Sequence, residues 1–123
     1  MATETTTGST ITLGTDTPTH LEPFHGFEQV LEGDPAAGVA WLRTSGTGDA
    51  TLYAGIFTVQ PSRFRYAFDH DECIHVLDGE VEIAVDGDAT VELRPGDLAS
   101  FGAGTRSTWT VRSPLRKFFV ISG

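Results

Sequence analysis

The chain predicts an all-β fold: a small antiparallel jelly-roll barrel preceded by a flexible N-terminal arm. Three observations predict it. From Val39 onward, short runs of β-branched and aromatic residues alternate in period two. Turn residues punctuate those runs at regular spacing, at Asp78-Gly79, Asp86-Gly87-Asp88, Pro95-Gly96-Asp97 and Ala103-Gly104. Sustained helical periodicity is almost absent, so the elements must pair with one another as strands.

The elements follow in order. Residues 1–19 are Thr, Gly, Ser and acidic residues around a short Ile11-Thr12-Leu13 run. That composition cannot bury enough surface to offset ordering entropy, and it reads as an arm. Ile11 to Leu13 is suited to adding one edge strand, on this chain or on a partner subunit. Leu21, Phe24, Phe27, Val30 and Leu31 have loosely helical spacing, but Pro23 and Gly26 interrupt it. One helical turn or an irregular cover is expected there, closed by the Asp34-Pro35 turn. Strands are then expected over 39–43, 51–60, 63–68, 72–77, 80–85, 89–93, 98–101, 107–112 and 115–121, about nine in all. The domain therefore spans 20–123.

Composition bounds the function. At 123 residues and 13.2 kDa the chain is one domain, and 39% hydrophobic residues are enough for a packed core. The net charge of −9 repels nucleic acid and anionic membrane surfaces, and no basic stripe is interleaved with aromatics. No apolar run approaches the ~18 residues that span a bilayer. The first residues show neither a basic nor an apolar leader segment, so the expected location is the cytoplasm. Cys73 is the only cysteine, which excludes an internal disulfide and a cysteine-rich zinc site. It reads as a small buried or half-buried hydrophobe rather than a reactive thiol.

From Glu72 to Trp109 the chain resembles the cupin superfamily. The glutamate-to-glycine spacing of Glu72 and Gly79 matches the end of the first cupin motif, and Gly96 with Gly104 matches the second. More narrowly the chain is similar to small single-domain cupins related to ureidoglycine aminohydrolase and to the ethanolamine-utilisation cupin protein. Leu31-Glu32-Gly33-Asp34-Pro35, Gly55-Ile56-Phe57, a tyrosine shortly before the glutamate, Trp109-Thr110-Val111 and Arg116-Lys117 carry that likeness. It extends over about residues 28–122.

The departures from the family pattern are as informative. Metal-binding cupins place a His-x-His pair just before the glutamate; here Tyr66 and Phe68 stand there, or Arg65 and Ala67 in the longer spacing. The third metal histidine falls at Ser107. One carboxylate does not hold a transition metal firmly, because ordinary sites need three or four ligands. No metal and no other cofactor is expected, the alternative being a weakly held divalent ion with His70 or an N-terminal histidine completing its site.

If Glu72 faces inward, as the resemblance implies, strand alternation turns Ile74 and Val76 inward as well and Cys73, His75 and Leu77 outward. By the motif spacing Tyr66, Phe68, Ser107 and Trp109 also face inward. The implied site is an aromatic pocket with one carboxylate, the mixture of apolar walls and few polar groups that marks small-molecule sites. Glu72 is the candidate proton-transfer group, and His70, between two aspartates at the rim, a candidate proton shuttle. Tyr66, Phe68, Ser107 and Trp109 are the candidate substrate-binding residues. His75 reads as interfacial, Trp41 and Phe118-Phe119 as structural, Asp97 as a turn former, and Arg63 and Arg65 as outward. The facing of Lys117 is open.

Three functions remain. The first is a metal-independent enzyme on a small polar metabolite, of isomerase, lyase or hydrolase type, with Glu72 as acid or base. The second is a binding or sensing module without turnover, and the third an accessory subunit of a larger assembly. The resemblance also implies a homodimer formed by packing one sheet on its partner, consistent with apolar outward positions such as Leu77.

Overall fold

The computed structural model describes residues 5–6 and 11–123. Thirteen strands lie in it: β1 (Thr5–Thr6), β2 (Thr12–Leu13), β3 (Glu22–Pro23), β4 (Gln29–Glu32), β5 (Gly38–Arg43), β6 (Leu52–Val59), β7 (Ser62–Ala67), β8 (Asp71–Asp78), β9 (Val81–Val85), β10 (Thr90–Leu93), β11 (Leu98–Phe101), β12 (Arg106–Val111) and β13 (Leu115–Ser122). Five of them form one antiparallel sheet in the order β10-β9-β12-β7-β4, and six form the other in the order β11-β8-β13-β6-β5-β3. This is the all-β jelly-roll arrangement expected. Among the described residues the two sheets stay separate, with no strand hydrogen-bonded into both.

The core lies between the inner faces. Val59, Phe64, Phe68, Ile74, Val76, Ile83, Trp109 and Phe119 are all buried there. Burying such side chains is worth roughly 1.5–3 kcal/mol each, which is what holds two otherwise independent sheets together. On β8 the burial alternates as expected, with Glu72, Ile74 and Val76 inside. Cys73 departs from its expected packing: it is exposed, with Sγ 3.6 Å from Ser100 Oγ on the neighbouring β11.

The turns are built as their residues dictate. Asp97 accepts a hydrogen bond from the Arg94 amide at 2.7 Å, the turn-forming role expected of it. Gly79 carries φ +86, and a Cβ there would meet the Pro114 carbonyl oxygen at 2.2 Å, so only glycine closes the β8–β9 connection.

The outer face of the five-stranded sheet is polar. Arg65 faces outward, as expected, and its guanidinium donates to both carboxylate oxygens of Asp86 at 2.8 and 2.6 Å and to Thr108 Oγ1 at 2.9 Å. The Asp86 hydrogen bond raises the Arg65 pKa, and its counterpart lowers that of Asp86. Arg106 pairs with Glu28 beside them.

Two segments differ in detail from the sequence reading. Of the two forms expected for Leu21 to Gly33, the irregular cover is the one found, flanked by the short strands β3 and β4, and no helical turn forms. Pro23 and Gly26 break the helical spacing, and Val30 finds a partner in Phe64 of β7 instead. The expected arm of residues 1–19 lies partly outside the described residues. Of its described part, β2 pairs with β1 rather than with a sheet edge.

Candidate functional site

The site is built where β7, β8, β12 and β13 present inward residues to one another. Ser107 of β12 is registered opposite Tyr66 of β7, and Trp109 opposite Phe64. Glu72 of β8 is opposite Ile121 of β13, and Lys117 is opposite both Val76 of β8 and Phe57 of β6. Glu72 is 3% exposed and Lys117 4%.

Burying a carboxylate and an ammonium is costly unless each is paired. Here they pair with each other: Lys117 Nζ donates to Glu72 Oε2 at 2.9 Å. The Tyr66 hydroxyl donates to the other oxygen, Oε1, at 3.2 Å. Burial pushes the Tyr66 pKa well above its ordinary value, and the adjacent Glu72 charge and hydrogen bond push it the same way. The ammonium also lies over three rings, 4.9 Å from the centroid of Phe57, 5.3 Å from Trp109 and 5.4 Å from Phe119. Aromatic faces carry negative quadrupole density, so this cage favours a cation.

A cavity of about 50 Å³ opens beside this pair. Its walls are Tyr66, Trp109, Phe57, Phe119 and Trp41, with Glu72 and Lys117 as its charged lining. Phe24 and Phe27, from the irregular stretch between β3 and β4, cover it. Their rings meet edge-on at 5.2 Å, and Phe27 lies 4.2 Å from Phe64 while Phe24 lies 5.3 Å from Phe57.

The structure therefore brings together Glu72, Tyr66 and Trp109 of the predicted site. Ser107 and Phe68 lie behind that lining. The buried Ser107 hydroxyl accepts from Trp109 Nε1 at 3.0 Å and donates to the Tyr66 carbonyl at 2.9 Å, which fixes both aromatics. Phe68 stacks on Phe101 at 4.5 Å and meets Tyr66 edge-on at 4.8 Å. His70 is exposed on its loop beside the C-terminal Gly123, away from the cavity lining. His20 and His75 lie in a separate groove on the outer face of the six-stranded sheet, and His25 is exposed.

Sequence reasoning did not place Lys117, Phe57 or Phe119 at the site; an irregular cover was expected over Leu21 to Gly33, but not that Phe24 and Phe27 close this cavity. The signal for Lys117 was its parity with Leu115 and Phe119, whose alternation along β13 turns all three inward.

The cupin metal centre does not fit these residues. Tyr66, Phe68 and Ser107 occupy the histidine positions, and the remaining carboxylate faces an ammonium. Among the described residues no group of three or more His, Cys, Asp or Glu is placed to hold a metal ion. Among the described residues no helix is long and apolar enough to cross a membrane.

Comparison with known proteins bears on this geometry. The sequence model of the EutQ-like cupin domain matches residues 46–119. No protein of curated function matches. Among solved structures, an ethanolamine utilization protein Q of Salmonella typhimurium LT2 superposes with a TM-score of 0.77 at 20% identity, covering 99% of this chain and 94% of that one. The Clostridium difficile EutQ protein gives 0.61 at 23% identity, over 70% of this chain and 67% of its own. A DUF861 family protein from Thermotoga maritima is 31% identical over 52% of this chain and 73% of its own, with a TM-score of 0.51. The two EutQ likenesses are likenesses of fold.

Proposed function

This chain belongs to the EutQ-like cupin family, and we propose that it binds a small polar metabolite between its sheets and acts on it through proton transfer by Glu72, without a tightly held metal. The observation that carries this reading is the Glu72 carboxylate, buried to 3% exposure beside an aromatic cavity and held at both oxygens. A buried carboxylate facing free space is a typical acid or base, provided a ligand proton comes within reach. Tyr66 and Trp109 supply walls, and Ser107 and Phe68 hold those walls in place. Entry requires Phe24 and Phe27 to move, because about 50 Å³ admits only a few non-hydrogen atoms. His70 serves as a shuttle only if its loop folds toward the mouth.

The test is a screen of small polar metabolites by ligand-observed NMR and thermal shift, on the wild type and on Glu72→Gln. The expected result is a ligand whose affinity falls in the variant. Unchanged affinity overturns the assignment of Glu72.

A second reading, binding without turnover, is favoured by one feature: both carboxylate oxygens are engaged at rest by Lys117 and Tyr66. Turnover assays on each ligand found separate the two. The donor set supports metal independence, and elemental analysis after loading with divalent metal should return a near-zero ratio. About one ion per chain, lost in Glu72→Gln, would reverse that part of the proposal.

We further propose a cytoplasmic homodimer. Leu42, Ile56, Leu77 and Phe118 line an apolar groove on the outer face of the six-stranded sheet, suited to a second copy. Sedimentation at micromolar concentration that finds only monomer would contradict it.

A further inference from the structure

The group that the proton-transfer reading leaves without a task is the Lys117 amine. It is the only lysine in the chain. Its Nζ lies at the cavity, 2.9 Å from Glu72 Oε2, caged by the rings of Phe57, Trp109 and Phe119. Those rings accept no proton, so Glu72 is the base within its reach. An amine in an apolar pocket with a carboxylate beside it is the arrangement that captures carbonyl compounds.

We propose that Lys117 is a carbonyl-capturing nucleophile, forming an imine with a small neutral aldehyde or ketone in this cavity. The proposal rests on the reading of the cavity as the ligand site. Glu72 takes one proton from the ammonium, and the nitrogen lone pair so freed forms the C–N bond as the C=O π pair moves onto oxygen. That oxygen takes a second proton from the nitrogen. Glu72 then returns its proton to the hydroxyl, the C–O bond breaks, water leaves, and the iminium stands opposite the restored carboxylate. The charge of the pair is the same before and after, so no uncompensated charge is buried at the end. Tyr66, bonded to the other carboxylate oxygen, positions Glu72 throughout.

The same accounting defines the ligand. Glu72 and Lys117 are the charged residues of the lining, and they neutralise each other. A ligand carboxylate would face rings without a cation of its own. A free volume of about 50 Å³ favours a short aliphatic carbonyl compound over a bulky one.

The experiment incubates the full chain with propanal and cyanoborohydride, which reduces the imine to a stable alkylamine, and follows the Lys117 peptide by mass spectrometry. The same labelling runs on urea-unfolded chain, and the peptide map separates the α-amine. Lys117 should be alkylated about tenfold or more faster in the folded chain than in the unfolded one. Glu72→Gln should remove that advantage. Labelling no faster in the folded chain overturns the proposal, and this comparison needs no variant to fold. If NMR finds propanal bound without accelerated capture, the nucleophile is wrong and the ligand site stands. If neither propanal nor any screened metabolite binds, both readings fall.

Discussion

Lys117 brings its ammonium within 2.9 Å of the Glu72 carboxylate although the two residues are not cross-strand neighbours. Glu72 is registered opposite Ile121, Ile74 opposite Phe119, and Val76 opposite Lys117. The lysine stem therefore leans along the sheet past the Ile74–Phe119 rung. Its methylenes cover apolar surface while the head reaches the carboxylate. A cation thus stands beside the glutamate that metal-binding cupins use as a ligand, and it is part of the chain itself.

Breaking that pair should be expensive. Lys117→Met leaves Glu72 buried without a counter-charge, a change that costs about 3–5 kcal/mol in comparable buried pairs. Lys117→Met combined with Glu72→Gln should lose clearly less than the sum of the single changes, since the double variant buries no charge. Urea unfolding of the four proteins measures the coupling. A Lys117→Met variant within about 1 kcal/mol of wild type would show that the pair is solvated and the site more open than described.

Tyr66 sets an alkaline limit. Burial and the neighbouring Glu72 raise its pKa above the ordinary 10.0, so the folded chain holds the phenol neutral where the unfolded chain ionises it. The folded state then binds more protons than the unfolded one, and stability falls with rising pH. This contribution is intact below pH 10.0 and declines above it, up to the raised folded value. Thermal melts across that range should show a steeper decline for wild type than for Tyr66→Phe. Equal slopes would mean that the hydroxyl reaches water.

Gly79→Ala should destabilise the chain by more than about 2 kcal/mol, combining the left-handed backbone penalty with a clash. The added Cβ would lie 2.2 Å from the Pro114 oxygen and 2.8 Å from the Leu115 Cα, both backbone atoms with little room to yield. Gly87→Ala is the control: its φ is +71, but nothing lies within 4 Å of a new Cβ, so it should cost only the backbone term. Comparable losses in the two variants, read from urea midpoints, would remove the clash from the explanation.

The strands and the inward face of β8 were legible because Val, Ile and Phe alternate there with polar residues and because Asp-Gly turns mark the ends. Glu72 was legible through its spacing to Gly79, which matches the cupin motif. Lys117 was not, for two physical reasons. Phe118-Phe119-Val120-Ile121 is apolar on both parities, so the parity that Lys117 shares with Leu115 and Phe119 does not stand out in the sequence as the inner one. A lysine is also so seldom fully buried that pattern alone does not place one inside, and the facing of Lys117 stays open in the sequence. Ser107 was read as a ligand contact because its position matches a metal ligand. Its task in the fold, bridging Trp109 and the Tyr66 carbonyl, depends on rotamers that spacing does not specify. An irregular cover was legible over Leu21 to Gly33, but that Phe24 and Phe27 close this cavity was not, because it depends on ring contacts between distant segments rather than on any local period.

That cover yields the last prediction, since every use proposed for the cavity needs an opening. Phe27 touches Phe64 at 4.2 Å and Phe24 at 5.2 Å but remains only half-buried, so truncating it removes packing without deleting the core. Phe27→Ala should cost roughly 1–3 kcal/mol, less than the ~3–5 of a fully buried phenylalanine. Its larger effect should be on access. Trp109 lines the cavity and is 2% exposed. In a Trp41→Phe background it is the sole tryptophan, because the chain has two. Acrylamide quenching of its fluorescence should rise clearly when Phe27 is truncated, and capture of an aldehyde at Lys117 should quicken with it. If quenching rises but capture does not, entry is not rate-limiting and the proton transfer to Glu72 is. If quenching does not rise, Phe24 alone seals the mouth, and Phe24→Ala should then produce the increase.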